Sequence, residues 1–177
     1  DTSIVREVVS YLENNLILIK STVSPGTTEF LSKFYSKNIV FSPEYIGEGD
    51  YPVPFWLGYP HPTDVSKHEF AIFGGEKWAT QKVIDVMLPL FGPHVKFYQT
   101  DAKTAELCKY MENCWLATKV TFCNEFKNIA DKMNVSYPEL REVWLADARV
   151  GRSHTMVYED SRGFGGRCLP KDVNALV

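Results

Sequence analysis

Cys168 stands between Gly165-Gly166-Arg167 and Pro170-Lys171-Asp172. The thiolate is the reactive form of cysteine, and nearby cations such as Arg167 and Lys171 stabilise it. Glycines let a backbone approach a ligand closely and adopt positive φ. A helix starting near Pro170 adds the positive end of its dipole. On a helical turn Asp172, four residues on, shares a face with Cys168. This is a setting for a nucleophile that forms a covalent intermediate. A structural cysteine beside a tight turn fits the same residues, and that reading stays open.

Other residues could serve such a nucleophile. Lys109 and Asn113 lie at i and i+4 of an apolar-patterned helix, where an ammonium and an amide together could donate to a developing oxyanion. Glu44 and Glu48 flank Tyr-Ile-Gly after an apolar run, and α/β proteins place functional carboxylates at the ends of parallel strands. Lys20-Ser21-Thr22-Val23 also closes a strand, so Thr22 could hold a ligand or a water. Arg149, in Asp-Ala-Arg-Val-Gly, could clamp a phosphate or carboxylate. Each has a plainer reading: a solvated lysine, surface acids, a helix cap, a surface ion pair. The four histidines (61, 68, 94, 154) lack metal-ligand spacing, and no CxxC occurs, so no metal is expected.

The elements that must position these groups follow from apolar periodicity. Residues 3–15 read as a helix, 16–19 as a buried strand, and 30–35 as part of a second helix. Residues 39–41, 69–73 and 95–98 read as strands, with a helix over 76–91. This alternation predicts an α/β fold with a largely parallel sheet. From Asp101 to Met133 there is no Gly or Pro, which predicts a helix of about 30 residues, far above the mean. Ser136-Tyr-Pro-Glu139 predicts a capping box on a shorter helix reaching about Leu145. Residues 147–170 read as a shaped loop rich in Gly and Arg.

Composition bounds the rest. With 45% hydrophobic and 23% charged residues the chain is ordinary for a globular protein, and a net charge of −3 gives no reason to expect nucleic acid or an anionic membrane as a partner. The apolar run Leu16–Ile19 is too short to span a bilayer. Cys108, Cys114 and Cys123 fall on one helix at spacings of 6 and 9, which suits packing rather than a disulfide framework; a reducing, cytoplasmic setting is expected. A chain opening on Asp1 is expected to be a piece of something longer. An α/β dinucleotide-binding domain should open on strand–Gly-x-Gly-x-x-Gly–helix, and Gly163-Phe-Gly-Gly does not stand in that context.

Five segments, in order, resemble the UDP-glucose/GDP-mannose dehydrogenase family: Lys-Ser-Thr-Val-Ser-Pro-Gly-Thr (20–27), Ser-Pro-Glu-Tyr-Ile-Gly-Glu-Gly (42–49), Ala-Glu-Leu-Cys-Lys-Tyr-Met-Glu-Asn (105–113), Asp-Ala-Arg-Val-Gly (147–151) and Gly-Phe-Gly-Gly-Arg-Cys-Leu-Pro-Lys-Asp (163–172). The resemblance implies residues 1–100 as the second half of an NAD-binding Rossmann-like domain, and 101–177 as a central helical dimerisation domain carrying the cysteine loop. The implied fold is a partial Rossmann-like parallel sheet followed by a long central helix and a mainly helical dimerisation region.

It also implies oxidation of a nucleotide sugar at C6, with Cys168 as nucleophile. Lys109 and Asn113 match the oxyanion pair, Glu44 the base for thioester hydrolysis, and Asp172 with Thr22 a water-holding pair. Ser21, Thr22, Val23 and Glu48 match cofactor contacts. Tyr45, Ile46, Glu48, Arg149, Gly163, Phe164, Gly165 and Gly166 match substrate contacts, Arg149 across a homodimer formed through the long helix. Gly47 departs from the usual Arg or Ala, and the stretch 154–162 is longer than in many members. UDP-glucose is the expected substrate, with GDP-mannose or a UDP-N-acetyl sugar as alternatives. A catalytically incomplete dimerisation fragment is the competing reading. A thiol protease or redox protein lacks a well-placed histidine or a second nearby cysteine.

Overall fold

The computed structural model describes residues 2–46 and 68–176. Its first unit, Asp1–Lys109, holds a four-stranded sheet. Helix α1 (Ser3–Tyr11) leads into β1 (Leu16–Ile19), α2 (Thr27–Tyr35) and β2 (Asn38–Phe41); β3 (Phe70–Gly74), α3 (Lys77–Phe91) and β4 (Lys96–Thr100) follow. β1 and β2 are parallel, in register from Leu16↔Asn38 to Ile19↔Phe41, and β3 and β4 are parallel as well. β2 and β3 meet antiparallel, through Phe41↔Gly74. A parallel neighbour requires a crossover connection; residues 47–67, between β2 and β3, with the prolines at 52, 54, 60 and 62, lie outside the described residues. The mostly parallel α/β sheet expected from the alternation is therefore present, with one antiparallel join.

Strand alternation divides the core in two. Ile39 and Phe41 face one way and pack with Ile17, Ile19, Val23, Leu31 and Val9. Val40 faces the other way and joins Phe73, Ala79, Val83 and Ile84. Helix α1 ends four residues short of the expected 15. Its last carbonyls are taken by the Lys37 ammonium, which donates to Val9 O at 2.7 Å and also to Leu12 O. The strands begin one residue later than expected at 70 and 96, within the usual uncertainty of element ends.

Helix α4 (Ala102–Lys132) has 31 residues, as its unbroken pattern predicts. Its first turns close against β3: a Cβ at Gly74 would lie 2.5 Å from Ala105 Cβ and 2.8 Å from Asp101 O. The second unit, Tyr110–Val177, contains the rest of α4 with α5 (Tyr137–Trp144) and α6 (Cys168–Ala175). Its small apolar cluster is Cys123, Ala130 and Tyr137, with Val157 against it. Ser136 stands at the N-cap of α5, but its side chain makes no cap bond, so the expected capping box does not form. Pro138, in the first turn, has no N–H to cap. Helix α6 starts at Cys168 rather than near Pro170. No helix among the described residues is long and apolar enough to cross a membrane.

Candidate active site

In the first unit, residues 20–23 follow the carboxyl end of β1: Ser21 is exposed, Thr22 half-buried and Val23 buried. Glu44 follows the end of β2. One carboxylate oxygen lies 3.3 Å from the Lys20 ammonium; the other accepts from the backbone N–H groups of Tyr45, at 3.0 Å, and Ile46, at 3.2 Å. The carboxylate is thus fixed by a cation and its own following turn. The Tyr45 ring packs edge-on to Phe70 with centroids 5.1 Å apart, and the Lys109 ammonium sits 4.5 Å from the Tyr45 centroid. Lys20, Ser42, Glu44, Tyr45, His68 and Phe70 line a cavity of about 20 Å³, room for about one water. The unit therefore brings together Glu44, Tyr45 and Lys109. Glu48 and Gly47 lie outside the described residues.

In the second unit, Cys168 is the first residue of α6 and is half-buried. Asp172, one turn on, is 1% exposed. Its Oδ2 accepts from Asn113 Nδ2 on α4 at 2.5 Å, and its Oδ1 pairs with the Lys171 ammonium. A buried carboxylate is tolerated only with partners of this kind. The Asn113 amide keeps its second N–H for another acceptor. Gly163 has φ +80° and Gly166 φ +77°, the left-handed region where a side chain is strained. A Cβ on Gly163 or Gly165 would meet no atom within 4 Å. At Gly165 no contact demands the absence of a side chain, whereas a ligand approaching the loop would. Phe164 is half-buried. Arg149 points out, its side chain 90% exposed, in a salt bridge with Asp147 at 2.5 Å that holds the Asp147 carboxyl below its ordinary range. Lys109 and Asn113 stand one turn apart on α4. Among the described residues, no three of His, Cys, Asp or Glu are grouped to hold a metal ion.

Several residues escaped the sequence. Glu106 is fully buried and accepts from Gly26 N at 2.5 Å and Thr28 N at 2.8 Å, filling the N-terminus of α2. Lys119 is 8% exposed and donates to Gly151 O at 3.1 Å; burial pushes its pKa down. These bonds reach 78 and 32 residues along the chain, beyond any local pattern. Their one sequence signal is a charged residue on the apolar face of a helix.

Residues 103–177 match the UDP-glucose/GDP-mannose dehydrogenase family, central domain. The chain is 33% identical over 167 residues to the UDP-glucose 6-dehydrogenase of Rickettsia typhi, covering 91% of this chain and 36% of that protein. It is 30% identical over 186 residues to UDP-glucose 6-dehydrogenase YwqF of Bacillus subtilis, covering 99% of this chain and 39% of the relative. It thus spans little more than a third of the curated relatives' length. Among solved structures, a UDP-glucose dehydrogenase from Pyrobaculum islandicum matches with a TM-score of 0.79 at 25% identity, covering 99% of this chain and 41% of that one. With the central-domain match over 103–177 and similarity to these dehydrogenases along nearly its whole length, the chain belongs to the UDP-glucose/GDP-mannose dehydrogenase family.

Proposed function

We propose that the protein to which this chain contributes oxidises the C6 alcohol of a nucleotide sugar, UDP-glucose first among the alternatives, to the carboxylate. The observation that carries this reading is the second unit's geometry. Cys168 opens a helix after a loop of exposed glycines, and Asp172, one turn on, is buried and bonded to Asn113 at 2.5 Å. NAD⁺, bound afresh for each oxidation, would accept one hydride in each of the two steps.

The chain's residues account for the rest. The Cys168 thiolate adds to the C6 aldehyde carbon, and Lys109 and Asn113 donate to the oxygen that becomes negative. Loss of the second hydride leaves a thioester. Glu44 takes a proton from water; the hydroxide adds to the acyl carbon, the C–S bond breaks, and the thiolate returns with the sugar carboxylate as product. Asp172 and Thr22 hold the water that receives the proton from the alcohol in the first oxidation. Tyr45, Ile46 and the 163–166 backbone hold the substrate, and Arg149 reaches it across a homodimer built on α4.

Ser21 and Thr22, two hydroxyls after a parallel strand, suit the nicotinamide half of NAD, together with Val23 and Glu48. The α2 N-terminus does not suit its phosphates, because Glu106 already accepts from the N–H groups there. Residues 1–100 then form the second half of the NAD-binding domain and 101–177 the central domain. A cytoplasmic, reducing setting fits a thiol nucleophile.

The test is NADH formation by the intact protein with UDP-glucose, GDP-mannose and UDP-N-acetyl sugars, at two NADH per sugar. No turnover with any of them would sink the reading. Cys168→Ser should lower the rate by at least ~10³-fold, since a nucleophile's role is rarely replaced. Full activity in that variant would remove Cys168 from the mechanism.

A further inference from the structure

The loop before Cys168 is tied to α4 by residues that no catalytic role uses. Asn124 Oδ1 accepts from Gly163 N at 3.1 Å and from Arg162 Nε at 2.8 Å, while Asn124 Nδ2 donates to Val120 O at 2.8 Å. The carbonyl and amino sides of this amide are therefore each assigned by their own partners. The Arg162 guanidinium also donates to Asn128 Oδ1 at 2.6 Å and to Asn124 O at 3.2 Å. One turn away, Lys127 bridges Glu159 at 2.8 Å and Asp131 at 2.6 Å. Asn124, Lys127, Asn128 and Asp131 follow i, i+3, i+4, i+7 spacing, so one polar stripe on α4 receives the segment 159–163. Asn124 is 9% exposed, so these are not loose surface contacts.

The geometry points to Asn124 and Arg162 as positioning residues that fix where the glycine loop 163–166 starts, and through it the backbone offered to the nucleotide sugar. The inference rests on the functional reading above for its substrate. It adds an anchor at the entry of the loop, opposite the Asn113–Asp172 bond at its exit. Gly163 suits the anchor: its N–H goes to the Asn124 carbonyl, and at φ +80° it turns the chain into the loop through the left-handed region, where a side chain is strained. Rigid support of this kind is what keeps a binding loop within the tolerance that recognition requires.

The experiment compares Asn124→Leu, Asn124→Asp and Arg162→Lys in the intact protein. Hydrogen exchange of the 163–167 peptide is read without substrate, and KM and kcat are read with the nucleotide sugar that wild type turns over. Asn124→Leu should speed exchange in 163–167 by about tenfold or more, leaving α5 protected, and raise KM by about tenfold with kcat within threefold. Asn124→Asp keeps an oxygen acceptor and should restore both. Arg162→Lys, which loses the planar fork, should fall between. Unchanged loop exchange in Asn124→Leu overturns the anchor. Faster exchange with unchanged KM overturns its role in substrate positioning. Loss of protection throughout α4 and α5 in Asn124→Leu shifts the decision to Arg162→Lys, whose unchanged exchange and KM would overturn the proposal. If wild type turns over no nucleotide sugar, the functional reading fails, and the exchange data still decide the anchor.

Discussion

Asp172 shows how much depends on single partners. It is 1% exposed and bonded to Asn113 and Lys171. Asp172→Leu leaves the Asn113 amide buried without its acceptor and should cost about 3 kcal/mol, whereas Asp172→Asn, which keeps one oxygen, should cost less. Urea unfolding of the two variants checks the order. His154 offers a test in pH. Its Nδ1 is buried with no hydrogen-bond partner among the described residues, and burial, with the Lys119 charge nearby, pushes its pKa down. A depressed folded pKa means the unfolded chain binds the proton more readily. The associated stability is present above the unfolded value near 6.5 and is lost as pH falls through the folded one. Wild type should therefore lose more stability between pH 7.5 and 5.5 than His154→Asn, by up to about 1.4 kcal/mol per pH unit for one proton. Asparagine tolerates the φ of +61° at this position. Equal pH slopes in the two unfolding series would contradict this account.

At the scale of elements, a buried carboxylate on α4 closes the start of α2, beside an ion pair of Lys103 with Glu29 at 3.2 Å. Glu106 satisfies two N–H groups that every helix leaves unpaired at its start. Glu106→Ala should destabilise the first unit by about 2 kcal/mol, and Glu106→Gln by about 1, as followed by thermal unfolding. The β3–α4 approach is equally specific. Gly74→Ala places a Cβ against Asp101 O and Ala102 Cα, backbone atoms that cannot rotate away, so a loss of about 1–3 kcal/mol is expected. Element types were legible in the sequence because burial imposes periods of 2 and 3.6 on apolar residues. One failure lies where a distant group decides and one is local. Lys37 ends α1 early, and a proline-led first turn leaves the Ser136 side chain out of its cap.

For the whole molecule, α4 bears Met111 at 74%, Trp115 at 59% and Ile129 at 47% exposure, with the half-exposed Phe122 and Phe126 rings tilted against each other, centroids 4.6 Å apart. Contiguous apolar residues of this kind mark interaction surfaces, which supports the proposed homodimer. Trp115→Glu should shift the intact protein from dimer to monomer in sedimentation velocity; an unchanged dimer would place the interface elsewhere. By itself, the sequence determined the α/β pattern, the 31-residue helix and the family, through Lys20–Thr27 and Gly163–Asp172. These are local: periodicity and short motifs need no knowledge of distant residues. Tertiary structure decided the antiparallel join of β2 and β3, the Glu106 plug in α2, and the Asn124–Arg162 hold on the loop before Cys168. Each depends on groups brought together from far along the chain, and the side-chain bonds also depend on burial to exclude water as the competing partner.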